Sequence, residues 1–163
     1  MRRFVPALVA LVLACAAPAR PEAAGAAAAE VKYPRYASLR AGKVNVRTGP
    51  GRRYPIAWVF VRQGLPVQVI GAFEAWRRIR DWEGTEGWVH QSLLSRRASV
   101  ILLKGPEGLY RRASREAPLV ARIERRAIGR PIACEGAWCR VEFAGLRGWI
   151  DRASIWGVEE TPR

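Results

Sequence analysis

Tryptophan and arginine side chains alternate along one short segment, and these residue types suit the binding of sugars and peptides. Over residues 76–82, the two-residue period of a strand places both tryptophans and two arginines on one face, opposite Ile79, which we expect in the core. Aromatic rings stack on sugars or proline-rich peptides, and guanidinium groups pair with carboxylates. Trp88 shares a strand face with His90, and Tyr54 follows a glycine-proline turn. The candidate ligand-binding residues are therefore Tyr54, Trp76, Arg78, Arg80, Trp82 and Trp88.

The sequence shows no pattern that would support catalysis. His90 is the one histidine, and its place after Gly-Trp-Val at a strand end is typical of a surface side chain. No Gly-x-Ser-x-Gly motif is present. His90 lies far along the chain from Cys134 and Cys139, so these three residues fall short of a usual set of metal ligands. We predict a protein that is not an enzyme, with no catalytic residues, no metal and no cofactor.

Residues 1–29 have the organisation of an export signal: Met1-Arg2-Arg3, an apolar run, and small residues ending at Ala29. The run is about half of the ~20 residues that a membrane-spanning helix needs, which disfavours a permanent anchor. Two processing routes stay open. The first is cleavage before Glu30, which we favour; the second is lipidation of Cys15, because Val12-Leu13-Ala14-Cys15 resembles a lipobox. Either route predicts a periplasmic or otherwise exported protein, in contact with the membrane only if Cys15 is lipidated.

The chain is strongly basic, with 28 Lys+Arg, 14 Asp+Glu and a formal net charge of +14. The leader holds three basic residues and one acidic residue, so most of this charge belongs to the remainder. Such a charge often indicates nucleic-acid binding. An exported chain meets no genome, so we exclude nucleic acid and expect an anionic wall polymer or an acidic envelope protein as partner. Because nearly all the basic residues are arginines, compositional drift that gives a solvated basic surface is the alternative.

Two cysteines, Cys134 and Cys139, flank a short segment in which a hairpin is expected. In an exported protein this arrangement predicts a disulfide, because opposed strand residues lie at a distance that a disulfide can span. Its role would be to stiffen this hairpin. The alternative is a pair of buried free thiols.

An internal repeat organises the chain after the leader. Trp76 aligns with Trp138 and Gly87-Trp88 with Gly148-Trp149 at nearly the same offset, with a small drift that short loop deletions explain. The sequence therefore predicts two copies of a unit of about 60 residues, at 37–95 and 98–156. Units of this size bury a modest fraction of their surface, so we expect the two copies to pack together.

Both copies have the pattern of β-structure. Short runs with alternating valines, such as Val44 to Val46 and Val67 to Val69, are separated by turns such as Gly49-Pro50-Gly51. Strands of this length and turn density predict a small barrel or sandwich. Residues 119–127 resemble a helix by themselves, but the repeat favours a turn and a strand there.

The first copy, read from end to end, resembles a known family. It opens with Val44-Asn45-Val46-Arg47-Thr48-Gly49-Pro50-Gly51, continues through Trp76-Arg77-Arg78-Ile79, and closes with Gly87-Trp88-Val89. In this order and spacing, these motifs are similar to those of a bacterial SH3-like (SH3b) domain. The second copy keeps the two tryptophan motifs and lacks the asparagine and the glycine-proline turn. The resemblance implies an all-β fold of two small SH3-like β barrels in tandem, packed together, that bind cell-wall material or protein partners.

The tryptophans that recur in both copies have an alternative role, which is to pack the copies against each other. This alternative is the favoured one for the four recurring residues, Trp76, Trp88, Trp138 and Trp149. Tyr54 and Trp82 have no aromatic equivalent in the second copy, so they are the better ligand candidates.

These observations predict a non-enzymatic exported protein that recognises peptidoglycan or its peptides, a cell-wall peptide or glycan being its ligand. The alternative is a periplasmic protein–protein adaptor that docks an acidic partner through its basic surface. An accessory of a cell-wall hydrolase, acting in trans, is compatible with both. Salt separates the first two, because paired charges weaken with ionic strength more than aromatic stacking does.

Overall fold

The first copy forms seven strands in the computed structural model, which describes residues 33–159. The predicted leader, with Cys15, lies outside these residues. Its strands are β1 (Arg35–Leu39), β2 (Val44–Arg47), β3 (Ile56–Phe60), β4 (Pro66–Phe73), β5 (Trp76–Arg80), β6 (Glu86–His90) and β7 (Leu94–Ser95).

The second copy forms the same number of strands in the same order. They are β8 (Val100–Leu102), β9 (Glu107–Tyr110), β10 (Leu119–Ile123), β11 (Ile128–Glu135), β12 (Trp138–Phe143), β13 (Leu146–Asp151) and β14 (Ile155–Trp156).

The two sheets have identical topology, which confirms the all-β fold predicted from the sequence. Neighbouring strands run β3-β2-β6-β5-β4-β1-β7 in the first sheet and β10-β9-β13-β12-β11-β8-β14 in the second. Within residues 33–159 the helices are single 3-10 turns at Gln91–Leu93 and Arg152–Ser154. None of them is long and apolar enough to span a bilayer. Residues 119–127 form β10 and a turn, as the repeat predicted.

Alternation along each strand explains how the first core forms. Val44 and Val46 of β2 are fully buried, and Asn45 and Arg47 between and after them point to the other side of the sheet. Ile79 of β5 is also fully buried, as predicted. The core of the first copy consists mainly of residues from β1 to β6, namely Ala37, Leu39, Val44, Val46, Phe60, Leu65, Val67, Val69, Ile79, Val89 and Ile101.

One residue of that core comes from the second copy. Strand β8 places Val100 and Leu102 in the core of the second copy, while Ile101 between them lies in the core of the first and is 1% exposed. A strand whose two faces lie against two different cores is buried on both sides. The two copies therefore share hydrophobic packing at β8.

Polar contacts reinforce this junction. Ser38 Oγ donates to the carbonyl of Arg97 at 2.7 Å, and Arg62 donates to the carbonyl of Arg126 at 2.8 Å. Arg126 also forms an ion pair with Glu83 at 3.2 Å. Both copies belong to one compact unit.

A disulfide joins Cys134 and Cys139, as the sequence predicted. The two residues are cross-strand partners in the β11–β12 hairpin, with Cα atoms 4.0 Å apart. Cys139 is fully buried in the core of the second copy. The bond therefore anchors the hairpin to that core.

Removing this bond with the Cys134→Ala/Cys139→Ala double variant should lower the free energy of unfolding by about 2 kcal/mol or less. The closed loop is short, so the disulfide limits the unfolded chain only slightly. Urea denaturation of the variant and of the parent protein measures the difference. A loss well above this value would mean that the bond supports more than its own hairpin.

Candidate functional site

A groove of about 350 Å³ lies on the outer face of the first sheet. It forms where β2, β6 and β5 lie side by side, on the face of the sheet that points away from the core. Its lining residues are Lys43, Asn45, Arg47, Arg52, Trp76, His90, Ser92 and Leu93.

Strand β2 supplies the polar floor of this groove. Because Val44 and Val46 point into the core, Asn45 and Arg47 must point outward, and both line the groove. The side chain of Asn45 lies on the groove surface. Its amide can donate and accept hydrogen bonds, so it is suited to orient a polar ligand.

Arg47 also fixes the loop that borders the groove. Its Nη1 donates to the carbonyl of Arg52 at 3.0 Å and to the carbonyl of Tyr54 at 2.7 Å. Two bonds from one guanidinium nitrogen to the loop backbone hold Arg52 at the edge of the groove. The glycine-proline turn that opens this loop is thus tied to β2.

Tyr54 packs inside the same loop and is not among the residues that line the groove. A Cβ atom at Gly49 would lie 2.4 Å from Tyr54 Cδ1, so only glycine fits beneath the ring. The Arg53 guanidinium lies over the ring at 5.2 Å. The structure therefore gives Tyr54 a packing role in the loop, beside the groove.

Trp76 and His90 form the aromatic wall of the groove. They are cross-strand partners on β5 and β6, and their rings meet edge to face with centroids 5.6 Å apart. His90 Nδ1 lies 2.7 Å from Ser92 Oγ and accepts the backbone N–H of Ser92 at 3.3 Å. This cap of the 3-10 turn fixes the imidazole, which in turn fixes the position of the indole.

The charge of the groove has one sign. Lys43, Arg47 and Arg52 contribute three cationic side chains, and no carboxylate is among the lining residues. The indole of Trp76 supplies an apolar face beside them. A ligand that combines an anionic group with a flat apolar surface, such as a sugar ring or a peptide side chain, fits this combination.

The predicted arginines of β5 lie on the outer face, and they already have an acidic partner. Arg78 and Arg80 form ion pairs with the Glu86 carboxylate at 2.7 and 2.6 Å. The hydrogen bond from Arg80 lowers the pKa of the Glu86 carboxyl, and the charge of Arg78 adds to the effect. Trp88 lies between Arg47 and Arg78 in the sheet register. This part of the outer face is therefore nearer to electrical balance than the groove.

Trp82 does not lie on the outer face with Arg78 and Arg80, and here the alternation assumed from the sequence was wrong. Strand β5 ends at Arg80, and the Asp81 carboxylate accepts the backbone N–H groups of Glu83 and Thr85 at 2.9 and 2.8 Å. This turn directs Trp82 onto the hydrophobic core, with its ring centroid 6.2 Å from that of Phe60. Chain reversal at Asp81 is the physical reason for the difference.

Two of the four recurring tryptophans contact an aromatic partner within their own copy. Trp76 contacts His90, and Trp138 contacts Tyr110 with centroids 5.9 Å apart. The tryptophan that bridges the copies is Trp156, which packs on the first core and meets Tyr36 at 5.0 Å. Its bridging position is not evident from the residue pattern around it. The repeat offers one signal: Trp156 corresponds to Ser95 of the first copy, so this tryptophan is specific to the second copy.

The second copy has different side chains at the positions that correspond to the groove. Tyr110 takes the place of Arg47, since both pair in register with the tryptophan of the Gly-Trp motif. Asp151 takes the place of His90, and it forms an ion pair with Arg115 at 2.9 Å. The second copy therefore has a tyrosine where the first copy has an arginine, and a paired carboxylate where the first copy has the imidazole.

Within residues 33–159, no group of three or more His, Cys, Asp or Glu side chains is placed to hold a metal ion. The groove that contains Trp76 combines three cationic side chains, one amide and one indole. Together, the fold and this groove define a tandem all-β protein that carries a cationic and aromatic groove on its first copy.

Comparison with known proteins identifies the family. The family model described as bacterial SH3 domain matches the chain twice, at residues 40–96 and 104–157. These matches cover more than half of the chain, so the protein belongs to the bacterial SH3 domain family. No curated protein matches the chain in sequence.

Solved structures are similar over part of their length. NlpC2 from Trichomonas vaginalis is 12% identical, with a TM-score of 0.35, over 77% of this chain and 49% of that one. An NlpC/P60 family protein from Bacillus cereus ATCC 10987 is 12% identical, with a TM-score of 0.34, over 75% of this chain and 56% of that one. The chain spans about half the length of these structures.

Proposed function

We propose that this protein is a non-enzymatic, exported binding protein that recognises peptidoglycan or its peptides in the cell envelope. The ligand binds in the groove of the first copy. The observation that carries the proposal is the grouping of Lys43, Arg47 and Arg52 beside Trp76 in a groove without a carboxylate. Family membership supports it, since the SH3-like resemblance implies binding of wall material or protein partners.

The chemistry of the wall ligand matches the groove group by group. Wall peptides carry carboxylates, which pair with the guanidinium and ammonium groups. Sugar rings and peptide side chains have apolar faces that stack on the indole of Trp76. Asn45 between these two regions can hydrogen-bond a peptide or acetamido group. One ligand would thus use the cationic, polar and aromatic parts of the groove together.

A protein–protein adaptor is the second candidate, and the net charge of +14 favours it. An acidic partner would be attracted by the whole basic surface rather than by one groove. Such an interaction depends on screened charges and should weaken steeply as salt rises.

A pull-down on purified peptidoglycan sacculi at low salt and at ~150 mM salt tests the proposal, because exposed charges more than ~8 Å apart are largely screened at the higher value. The protein should bind under both conditions. A Trp76→Ala/Lys43→Gln variant should bind about tenfold more weakly, a difference of about 1.4 kcal/mol. It loses the stacking face and one of the three cations.

The repeat provides the matched control, Trp138→Ala. Trp138 has the same strand position and a similar edge-to-face contact, but it lies in the second copy. It should bind sacculi as the parent protein does. Equal binding by the parent protein and both variants, or equal loss of binding at ~150 mM salt, would contradict ligand binding in the groove. Either result would favour the adaptor.

A further inference from the structure

A second groove on the first copy is lined by four arginines. It measures about 330 Å³ and shares no lining residue with the groove that contains Trp76. None of its lining residues is acidic. They are Arg35, Ala37, Arg40, Arg77, Gln91, Leu94, Ser95 and Arg96.

The arginines converge from separate elements whose backbones are fixed. The N–H of Arg40 donates to the carbonyl of Leu93 at 2.8 Å, which ties the end of β1 to the 3-10 turn. The segment that carries Arg96 is held by the bond from Ser38 Oγ to the carbonyl of Arg97 at 2.7 Å. The groove is therefore built by tertiary contacts and does not depend on one flexible loop.

Arg77 is held in place by neutral groups. Its Nη1 donates to the carbonyls of Glu74 and Trp76 at 2.8 and 2.9 Å, and its Nη2 donates to Gln91 Oε1 at 2.5 Å. These bonds position the guanidinium and leave its positive charge uncompensated. A positioned, uncompensated guanidinium is a ready partner for an anion.

Arg35 provides an independent indication of a missing partner. Its Nε is buried, and within residues 33–159 it has no hydrogen-bond acceptor. Buried polar atoms are generally paired, so the unpaired N–H of this groove-lining residue requires an explanation. None of the four arginines forms an ion pair with a carboxylate in the described part of the chain, in contrast to Arg78 and Arg80.

We infer that this four-arginine groove binds a phosphate-class oxyanion. Four guanidinium groups in one place repel each other, and a multiply charged group relieves that repulsion. Phosphate offers several acceptor oxygens, and the planar fork of arginine matches them with paired hydrogen bonds. The groove volume accommodates a phosphate monoester or a pyrophosphate. This site goes beyond the proposed wall-binding function, since it lies in a different groove.

Calorimetric titration with inorganic pyrophosphate at low salt tests the inference. The parent protein should bind saturably, and an Arg40→Gln/Arg96→Gln variant should bind at least tenfold more weakly. Both residues are exposed, so the variant should fold normally, which near-UV circular dichroism verifies. An Arg111→Gln/Arg112→Gln control removes the same charge from exposed positions of the second copy and should bind as the parent does. Absence of saturable binding, or equal weakening in both variants, would overturn the inference.

Vesicles distinguish the two sources of such a group. If a lipid headgroup supplies it, the protein should co-sediment with phosphatidylglycerol vesicles and not with phosphatidylcholine vesicles, and Arg40→Gln/Arg96→Gln should abolish the difference. If a soluble phosphate supplies it, pyrophosphate should titrate while vesicles of both kinds leave the protein in solution. The Trp76→Ala/Lys43→Gln variant should bind pyrophosphate normally, so failure of either proposal is recognised separately.

Discussion

Replacing Ile101 by alanine is expected to lower the free energy of unfolding by about 2–5 kcal/mol, as removal of a fully buried isoleucine side chain does in other cores. Ile101 belongs to β8 of the second copy, yet it is 1% exposed within the core of the first. The substitution opens a cavity in the first copy by a change in the second. Urea denaturation followed by tryptophan fluorescence measures the loss.

The same experiment reports whether the copies unfold together. Because they share packing at β8, Ile101→Ala should shift one common transition to lower urea concentration without splitting it. Ile132→Ala is the control, since Ile132 lies in the second copy and is 42% exposed, and its effect should stay within about 0.5 kcal/mol. The shared core would be contradicted if the parent protein unfolded in two separate transitions and Ile101→Ala shifted only the transition of the second copy.

Replacing Gly157 by alanine should lower the free energy of unfolding by roughly 2–5 kcal/mol, the combined cost of a strained backbone and an overpacked contact. Gly157 has φ +115°, a conformation that side chains rarely adopt, and a Cβ atom there would lie 2.2 Å from the carbonyl oxygen of Ser99. The next nearest atom is Pro66 Cβ of the first copy, at 3.1 Å. The clash therefore falls at the junction of the two copies.

Gly84→Ala separates the two contributions to that loss. Gly84 also has positive φ, +89°, but a Cβ atom there would meet nothing within 4 Å. It should cost only the backbone strain, about 1–3 kcal/mol. Thermal or urea denaturation of both variants gives the comparison. Equal losses in Gly157→Ala and Gly84→Ala would show that the contact with Ser99 relaxes without cost.

Local patterns were sufficient to predict the fold. Alternating valines in β2 and β4 gave the strands, and the recurrence of Gly-Trp gave the two copies. The repeat also resolved residues 119–127, because the equivalent segment of the first copy carries strand-type alternation. These signals lie within a few residues of one another, where the two-residue period of a strand acts directly.

The candidate site depends on pairing between distant strands, which local patterns do not contain. Alternation placed Asn45 and Arg47 on the outer face, but only the sheet order brings β2 beside β6 and Trp76 next to His90. Trp82 was misplaced because the side chain of Asp81 ends the strand through its own hydrogen bonds. A short polar residue that can bond its own backbone competes with strand continuation, and its outcome is set by the surrounding fold.

Strand β8 of the second copy supplies one residue to the core of the first, and this bears on how the two repeated copies can diverge. Here the first copy would keep an unfilled hollow at the position of Ile101 if it were moved to another polypeptide alone. The second copy therefore forms part of the wall around the first core. The two copies are therefore not interchangeable modules, because the first depends on the second for one residue of its own core.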